Sequence, residues 1–234
     1  MNAIRVLKGD YSRDPNNTFD WILDELCRAG QQATFYFLSS ARKGKGYGWY
    51  NPDHPHIINT IRNVSENGHT LGLHGAFGSF MDADQISHER KCLQLMFRRA
   101  GVNQEVVRNR QHFLQWDSRI TPDCLEKAGI QFDSSGGFPE RPGFRFGTAI
   151  PFPMWDWITQ APIKLVQEPL VLMDCSLLAE NYMGLRHFPE ACGYGLQLKD
   201  RALAFGGDFS ILWHNNYLTS AQDRKLLKVL LGNE

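Results

Sequence analysis

Gly68-His-Thr-Leu-Gly-Leu-His74 reads as a short apolar strand that ends on a histidine. Phe209-Ser-Ile-Leu-Trp-His214 ends the same way, and so does Val106-Val-Arg-Asn-Arg-Gln-His112. Three imidazoles at the C-terminal ends of three buried strands is the layout of an active site at the mouth of an α/β barrel. Imidazole binds metal, and it carries protons near neutral pH.

Working outward from Gly68, the preceding stretch Pro55–Asn67 has Ile57, Ile58, Ile61 and Val64 at helical spacing, with Gly68 as the stop. Behind His74, Asp82–Ala100 predicts a long helix capped by Asp82 or Asp84 and ended by Gly101. Upstream lie a helix over Thr18–Ala29 and an aromatic strand over Ala33–Leu38. Ala41–Tyr50 is a basic, glycine-rich loop, in which Arg42-Lys-Gly-Lys45 reads as a solvated face or a contact for an acidic glycan. Downstream, Val106–Phe113 and Ile130–Ser134 predict strands around a short helix at Thr121–Ala128. The pattern then loosens. Gly136–Trp157 reads as strand plus long loop, and Leu170–Cys175 as a strand within Ile163–Ser176. Pro189–Ala204 reads as a helix, Phe209–His214 as the last strand and Ser220–Leu231 as the last helix. Repeated strand–helix units imply a mainly parallel α/β sheet with right-handed crossovers, closed as a barrel or strongly curved. No GxGxxG or GxxxxGK[ST] follows any strand, which argues against a nucleotide fold.

Composition narrows the class. With 234 residues and 42% hydrophobic content, the chain predicts one domain spanning residues 1–234 with a substantial core. Lys and Arg number 25 and so do Asp and Glu, a balance that argues against a nucleic-acid groove or a polybasic membrane face. Cys27, Cys92, Cys124, Cys175 and Cys192 form no CxxC pair and read as reduced thiols. No apolar run approaches the roughly 20 residues of a transmembrane span, and the N-terminus lacks the layout of a signal peptide. Together these place the chain in the cytoplasm.

Several segments in order carry a resemblance. Ala33-Thr-Phe-Tyr-Phe37, Gly68–His74 and Ile211-Leu-Trp-His214 resemble the polysaccharide deacetylase family, the NodB homology domain. The chain is similar, more narrowly, to a bacterial branch linked to cell-surface polysaccharide synthesis. The matching stretches there are Asp14-Pro-Asn-Asn-Thr-Phe-Asp-Trp21, Arg110-Gln-His-Phe-Leu114, Phe132-Asp-Ser-Ser135, Pro142-Gly-Phe-Arg-Phe-Gly-Thr148 and Leu170-Val-Leu-Met-Asp174. The resemblance spans about Asp14 to Asn216. It implies a distorted (β/α) barrel, one divalent metal with zinc first, and hydrolysis of an N-acetyl group on a sugar or oligosaccharide. It also implies an aspartate and two histidines as metal ligands, a second aspartate as base, and a histidine near the last strand as acid.

The sequence departs from that pattern twice. The family's second metal histidine follows the first on the same strand and loop, but Gly75-Ala-Phe-Gly-Ser79 offers none. The aspartate pair belongs on a strand before the first helix, where only Met1–Asn17 is present. Either Ala3–Asp10 is a short strand with Asp10 at its end, or the first strand lies upstream of Met1 and the barrel is incomplete there. An incomplete barrel exposes strand edges, which predicts poor solubility or a homodimer.

The candidate residues follow. His74 is the first metal ligand, or else a cap bonded to a neighbouring carbonyl. His69 begins the same strand and reads as structural, because five residues along a strand span roughly 16 Å. His112 is either the second ligand, arriving from another strand, or a wall residue; Asp10 is the carboxylate candidate. Arg110 shares the face of His112 on an ideal strand and positions a carboxylate or a substrate oxygen. His214 is the acid that protonates the leaving amine, with Asp174 as the partner that raises its basicity. Asp133, Ser134 and Arg145 bond sugar hydroxyls or else pin loops. Trp116, among Trp49, Tyr50, Phe80, Trp155, Trp157 and Trp213, offers a face for a sugar or joins the core. Two rival functions stand beside the deacetylase: a catalytically inactive glycan-binding or scaffold relative, and a metal hydrolase of another amide or an ester.

Overall fold

Alternation of apolar and polar positions builds a sheet with two distinct faces. The computed structural model describes residues 9–11, 14–39 and 50–233. Strands β1 (Thr34–Phe37), β2 (Thr70–Gly75), β3 (Arg108–Gln111) and β4 (Phe132–Asp133) lie side by side and parallel. β5 (Phe152–Asp156) and β6 (Ala161–Gln167) form an antiparallel hairpin, and β6 pairs parallel with β4. A second, two-stranded parallel ladder joins β7 (Leu172–Met173) to β8 (Ile211–Leu212). The expected parallel α/β sheet is present. Among the described residues the strands form these two ladders rather than one closed barrel. The Leu170 N–H, just before β7, donates to the Gly136 carbonyl, beyond the end of β4.

Helices cover one face. They are α1 (Phe19–Arg28), α2 (Pro55–Glu66), α3 (Ala83–Ala100), α4 (Thr121–Lys127), α5 (Asp174–Leu178), α6 (Phe188–Ala204) and α7 (Ala221–Leu231). Leu71 and Leu73 alternate onto that face and meet Ile61 and Val64 of α2 and Leu93 and Phe97 of α3, all buried. Each such side chain contributes about 1.5–3 kcal/mol when fully buried. Asp82 caps α3 by accepting the Gln85 N–H, and Gly101 ends it at φ 74°. Ser220 and Asp223 close a capping box on α7.

Several segments differ from expectation. The strand expected through Phe113 stops at Gln111, and His112–Leu114 turn as a short 3-10 segment. Phe113 and Leu114 there are left-handed, at φ 58° and 51°, which costs roughly 1–2 kcal/mol per non-glycine residue. The strand expected over Leu170–Cys175 is only Leu172–Met173, and Asp174 already opens α5. Strand β6 was hidden by Pro162 and Lys164, which break the apolar run while facing solvent. The strand expected over Ala3–Asp10 lies outside the described residues except for Gly9 and Asp10, and the Ala41–Tyr50 loop does so except for Tyr50. No helix of the described residues is long and apolar enough to cross a membrane.

Candidate active site

The face opposite the helices carries the polar side chains that alternation sends there. Tyr36, Gly72 and His74, Arg108 and Arg110, and Phe132 are in register across β1 to β4. A Cβ on Gly72 would stand 2.6 Å from the Tyr36 ring and 3.2 Å from the Arg108 carbonyl, so only glycine lets that ring lie across β2. The Arg110 guanidinium stacks over Tyr36 at 4.6 Å and donates through Nε to the Ser134 carbonyl at 3.2 Å. Tyr36 and Ser134 join their hydroxyls at 2.7 Å.

His74 ends this row in a defined state. Its Nδ1–H donates to the Arg110 carbonyl at 2.7 Å, since a carbonyl can only accept. The Nε2 lone pair is therefore the one left to act. Burial, followed by the charges of His112, His214 and Arg110, outweighs the carbonyl and lowers the His74 imidazole to about 3. It is neutral at physiological pH. The His112 ring lies 4.9 Å from it, centroid to centroid.

Asp174 and His214 form the second half. Asp174 is fully buried at the start of α5, directly after β7. Its Oδ1 accepts the His214 Nδ1–H at 2.7 Å and the Cys175 N–H at 2.6 Å, and its Oδ2 accepts the His214 backbone N–H at 2.6 Å. The parallel pairing of β7 and β8 sets this contact, because it brings Met173 beside Leu212 and so the two strand ends together. The His214 side chain is 40% exposed and anchored through Nδ1, leaving Nε2 as its acting atom. An imidazole anchored in this way has the geometry needed to exchange a proton through Nε2.

The other candidates separate. Arg110 joins the histidines. Asp133 does not: it is fully buried, and its carboxylate accepts from Asn109 Nδ2 and from both the amide and hydroxyl of Ser135. Ser134 is buried against Tyr36 and Arg110. Arg145 donates to the Gly137 carbonyl at 3.0 Å, and burial lowers its guanidinium from the ordinary value against the pull of Glu140. Trp116 packs on the core, edge-on to Phe146, with its Nε1–H on Ser118. Asp10 is half-buried in the segment before α1.

Metal fit differs between the two halves. Among the described residues, one set of three donors lies within 4.8 Å: Asp174, Cys175 and His214. A cation there would compete for the Asp174 oxygens with the His214 Nδ1–H and the backbone N–H groups of His214 and Cys175. The Cys175 thiol, pushed up to about 12 by burial and then by Asp174, packs beside Leu114, Leu170, Met173 and Leu212. That set fits a hydrogen-bonded dyad, not a cation. The His74 and His112 rings lie 4.9 Å apart, centroid to centroid. Among the described residues no Asp, Glu, Cys or His closes a three-donor set with them.

Two supporting residues carry no role in the motif reading. Tyr36 hides in an aromatic strand. Glu89 lies on the apolar stripe of α3 with Ile86, Leu93 and Phe97, where its Oε2 accepts the Ala76 N–H at 3.0 Å and fixes the loop after His74. A charge on an apolar stripe is the signal that marks it.

The fold has solved counterparts. A structure of a Mycobacterium smegmatis protein assigned as a polysaccharide deacetylase aligns over 93% of this chain and 70% of its own, with TM-score 0.67 and 16% identity. The 4-alpha-glucanotransferase of Thermococcus litoralis aligns over 92% of this chain and 33% of its own, with TM-score 0.54 and 13% identity. At these identities the likeness is one of fold: a mixed α/β architecture with a mostly parallel sheet of the polysaccharide deacetylase type. No protein-family model and no curated protein matches the sequence.

Proposed function

We propose that the protein is a metal-dependent hydrolase that removes the N-acetyl group of a sugar in cell-surface polysaccharide synthesis. The observations that carry this are the His74–His112 ring pair at the strand ends, the Asp174–His214 dyad beside it in the fold, and the charge of His214 among those that lower the His74 imidazole. The fold likeness supports it. His74, through Nε2, and His112 are the residues that would hold a divalent cation, with zinc first. Such a cation polarises a carbonyl and brings the pKa of its water to about 7.

The chain's own groups supply the rest. His214 Nε2 takes a proton from the attacking water and hands it to the leaving amine, so that amide and water become acetate and amine with the imidazole returned unchanged. Asp174 fixes its tautomer and stabilises the imidazolium in between. Arg110, held by Tyr36 and the Ser134 carbonyl, positions substrate oxygens.

A second reading, a glycan-binding relative without turnover, is favoured by one observation: no described carboxylate completes the His74–His112 pair. Zinc analysis of purified protein, paired with acetate release from N-acetylated oligosaccharides, separates the two. Bound zinc with turnover supports the hydrolase. Glycan binding with neither zinc nor turnover overturns it.

A further inference from the structure

A row of four rings runs outward from the site. His74 faces His112 at 4.9 Å, His112 stacks on Phe113 at 4.5 Å with an interplanar angle of 14°, and Phe113 meets Phe77 edge-on at 5.8 Å. The outer two rings are open to solvent, Phe113 at 55% and Phe77 at 43%. They come from two loops, one after β2 and one after β3, tied together by the Gly78 N–H on Gln115 Oε1 at 2.7 Å.

The backbone under Phe113 is the unusual part. Phe113 and Leu114 both adopt left-handed φ, which disfavours every residue but glycine. For Leu114 the turn brings burial against Leu170, Met173 and Leu212. For Phe113 it brings little; the ring rests on His112 and against Phe77 and leaves 55% of the residue exposed. The exposed remainder of that ring is what burial leaves unexplained, and its place in the row marks it as a ligand face.

We propose that Phe113 and Phe77 form a stacking subsite for the C–H face of a pyranose ring, the sugar unit next to the one whose acetyl group the histidines approach. The identity of its occupant rests on the N-acetyl-sugar reading of the histidine site. A pyranose presents aliphatic C–H groups on one face and hydroxyls around its rim. A phenyl ring engages that face while the rim stays hydrated. Neither phenylalanine carries a polar handle, so the subsite reads the presence of a neighbouring sugar, and recognition grows with chain length.

The test compares calorimetric binding of free N-acetylglucosamine and of its β-1,4-linked tetramer. Phe113→Gly removes the ring and suits the backbone, so its melting temperature equals or exceeds that of the wild type. Its affinity for the tetramer falls about tenfold, while that for the monomer changes by less than about twofold. Phe77→Ala, which leaves the left-handed turn untouched, gives the same selective loss. Unchanged tetramer affinity, an equal loss on both sugars, or a wild type that does not bind the tetramer overturns the subsite. Phe113-dependent tetramer binding without acetate release upholds the subsite and removes the hydrolase. Acetate release that ignores both phenylalanines does the reverse.

Discussion

Asp174→Asn removes one charge from a buried group and exposes the logic of the dyad. The carboxylate accepts three hydrogen bonds, from the His214 ring, the His214 amide and the Cys175 amide. Asparagine offers one oxygen and one NH2 group. With the oxygen at Oδ1, two bonds survive and the NH2 opposes the His214 amide. With the oxygen at Oδ2, two donors lose their acceptor and the ring must turn over its tautomer. A buried donor left unsatisfied costs about 1–3 kcal/mol, and each kcal/mol is about 2–4 °C of melting temperature in a chain of this size. Both arrangements withdraw the negative charge that stabilises an imidazolium. Since a positioned acid–base group contributes 10²–10⁴-fold, kcat is expected to fall at least about 100-fold with KM little changed. Acetate release gives kcat, calorimetry gives the melt, and nitrogen NMR gives the His214 tautomer. A variant that keeps kcat, melt and tautomer refutes the dyad.

Other perturbations test other parts. His74 stays neutral in the fold down to about pH 3, whereas the unfolded chain protonates it near 6.5. Its contribution to stability is therefore complete above pH 6.5 and is lost as pH falls from there toward 3, at no more than about 1.4 kcal/mol per pH unit. His74→Gln should flatten this slope in urea melts at pH 7 and 4.5; an unchanged slope removes the assignment. Glu25, 1% exposed, pairs with Arg28 on its own helix, with Lys228 of α7 and with Asn233 just past the end of α7. Glu25→Ala should cost about 2 kcal/mol, discounted because its cations reach solvent. Asp123→Ala, which breaks the exposed pair with Lys127, should cost under about 0.5 kcal/mol; equal losses in denaturant melts would contradict the difference in burial. Arg110→Lys keeps the charge but loses the Nε–H bond to Ser134 and the flat stacking on Tyr36. It should lower kcat/KM about tenfold, and full activity would show that charge alone suffices.

Periodicity carried most of the architecture. The apolar spacing of Ile57, Ile58, Ile61 and Val64, stopped at Gly68, placed α2 and β2 to within a residue or two. Strand-end histidines found the dyad, because a side chain at the end of a buried strand has few other places to go. Where tertiary contacts overrule local pattern, the sequence misleads. The Leu114 side chain is drawn into the second ladder, and that turns the backbone left-handed and lifts Phe113 outward. Asp133 is the last residue of its strand, whereas Asp174 comes after its own, and alternation sends Asp133 to the helix side, where Asn109 and Ser135 absorb it.

The central claim is that His74, His112 and His214 serve one hydrolytic centre. The most direct measurement is acetate release from N-acetylated oligosaccharides by the wild type and by His74→Ala, His112→Ala and His214→Ala, each checked for folding by its melt. The account predicts acetate from the wild type and at least about a 100-fold loss in every one of the three folded variants. Turnover that survives any of these substitutions, or a folded wild type that releases no acetate, contradicts it.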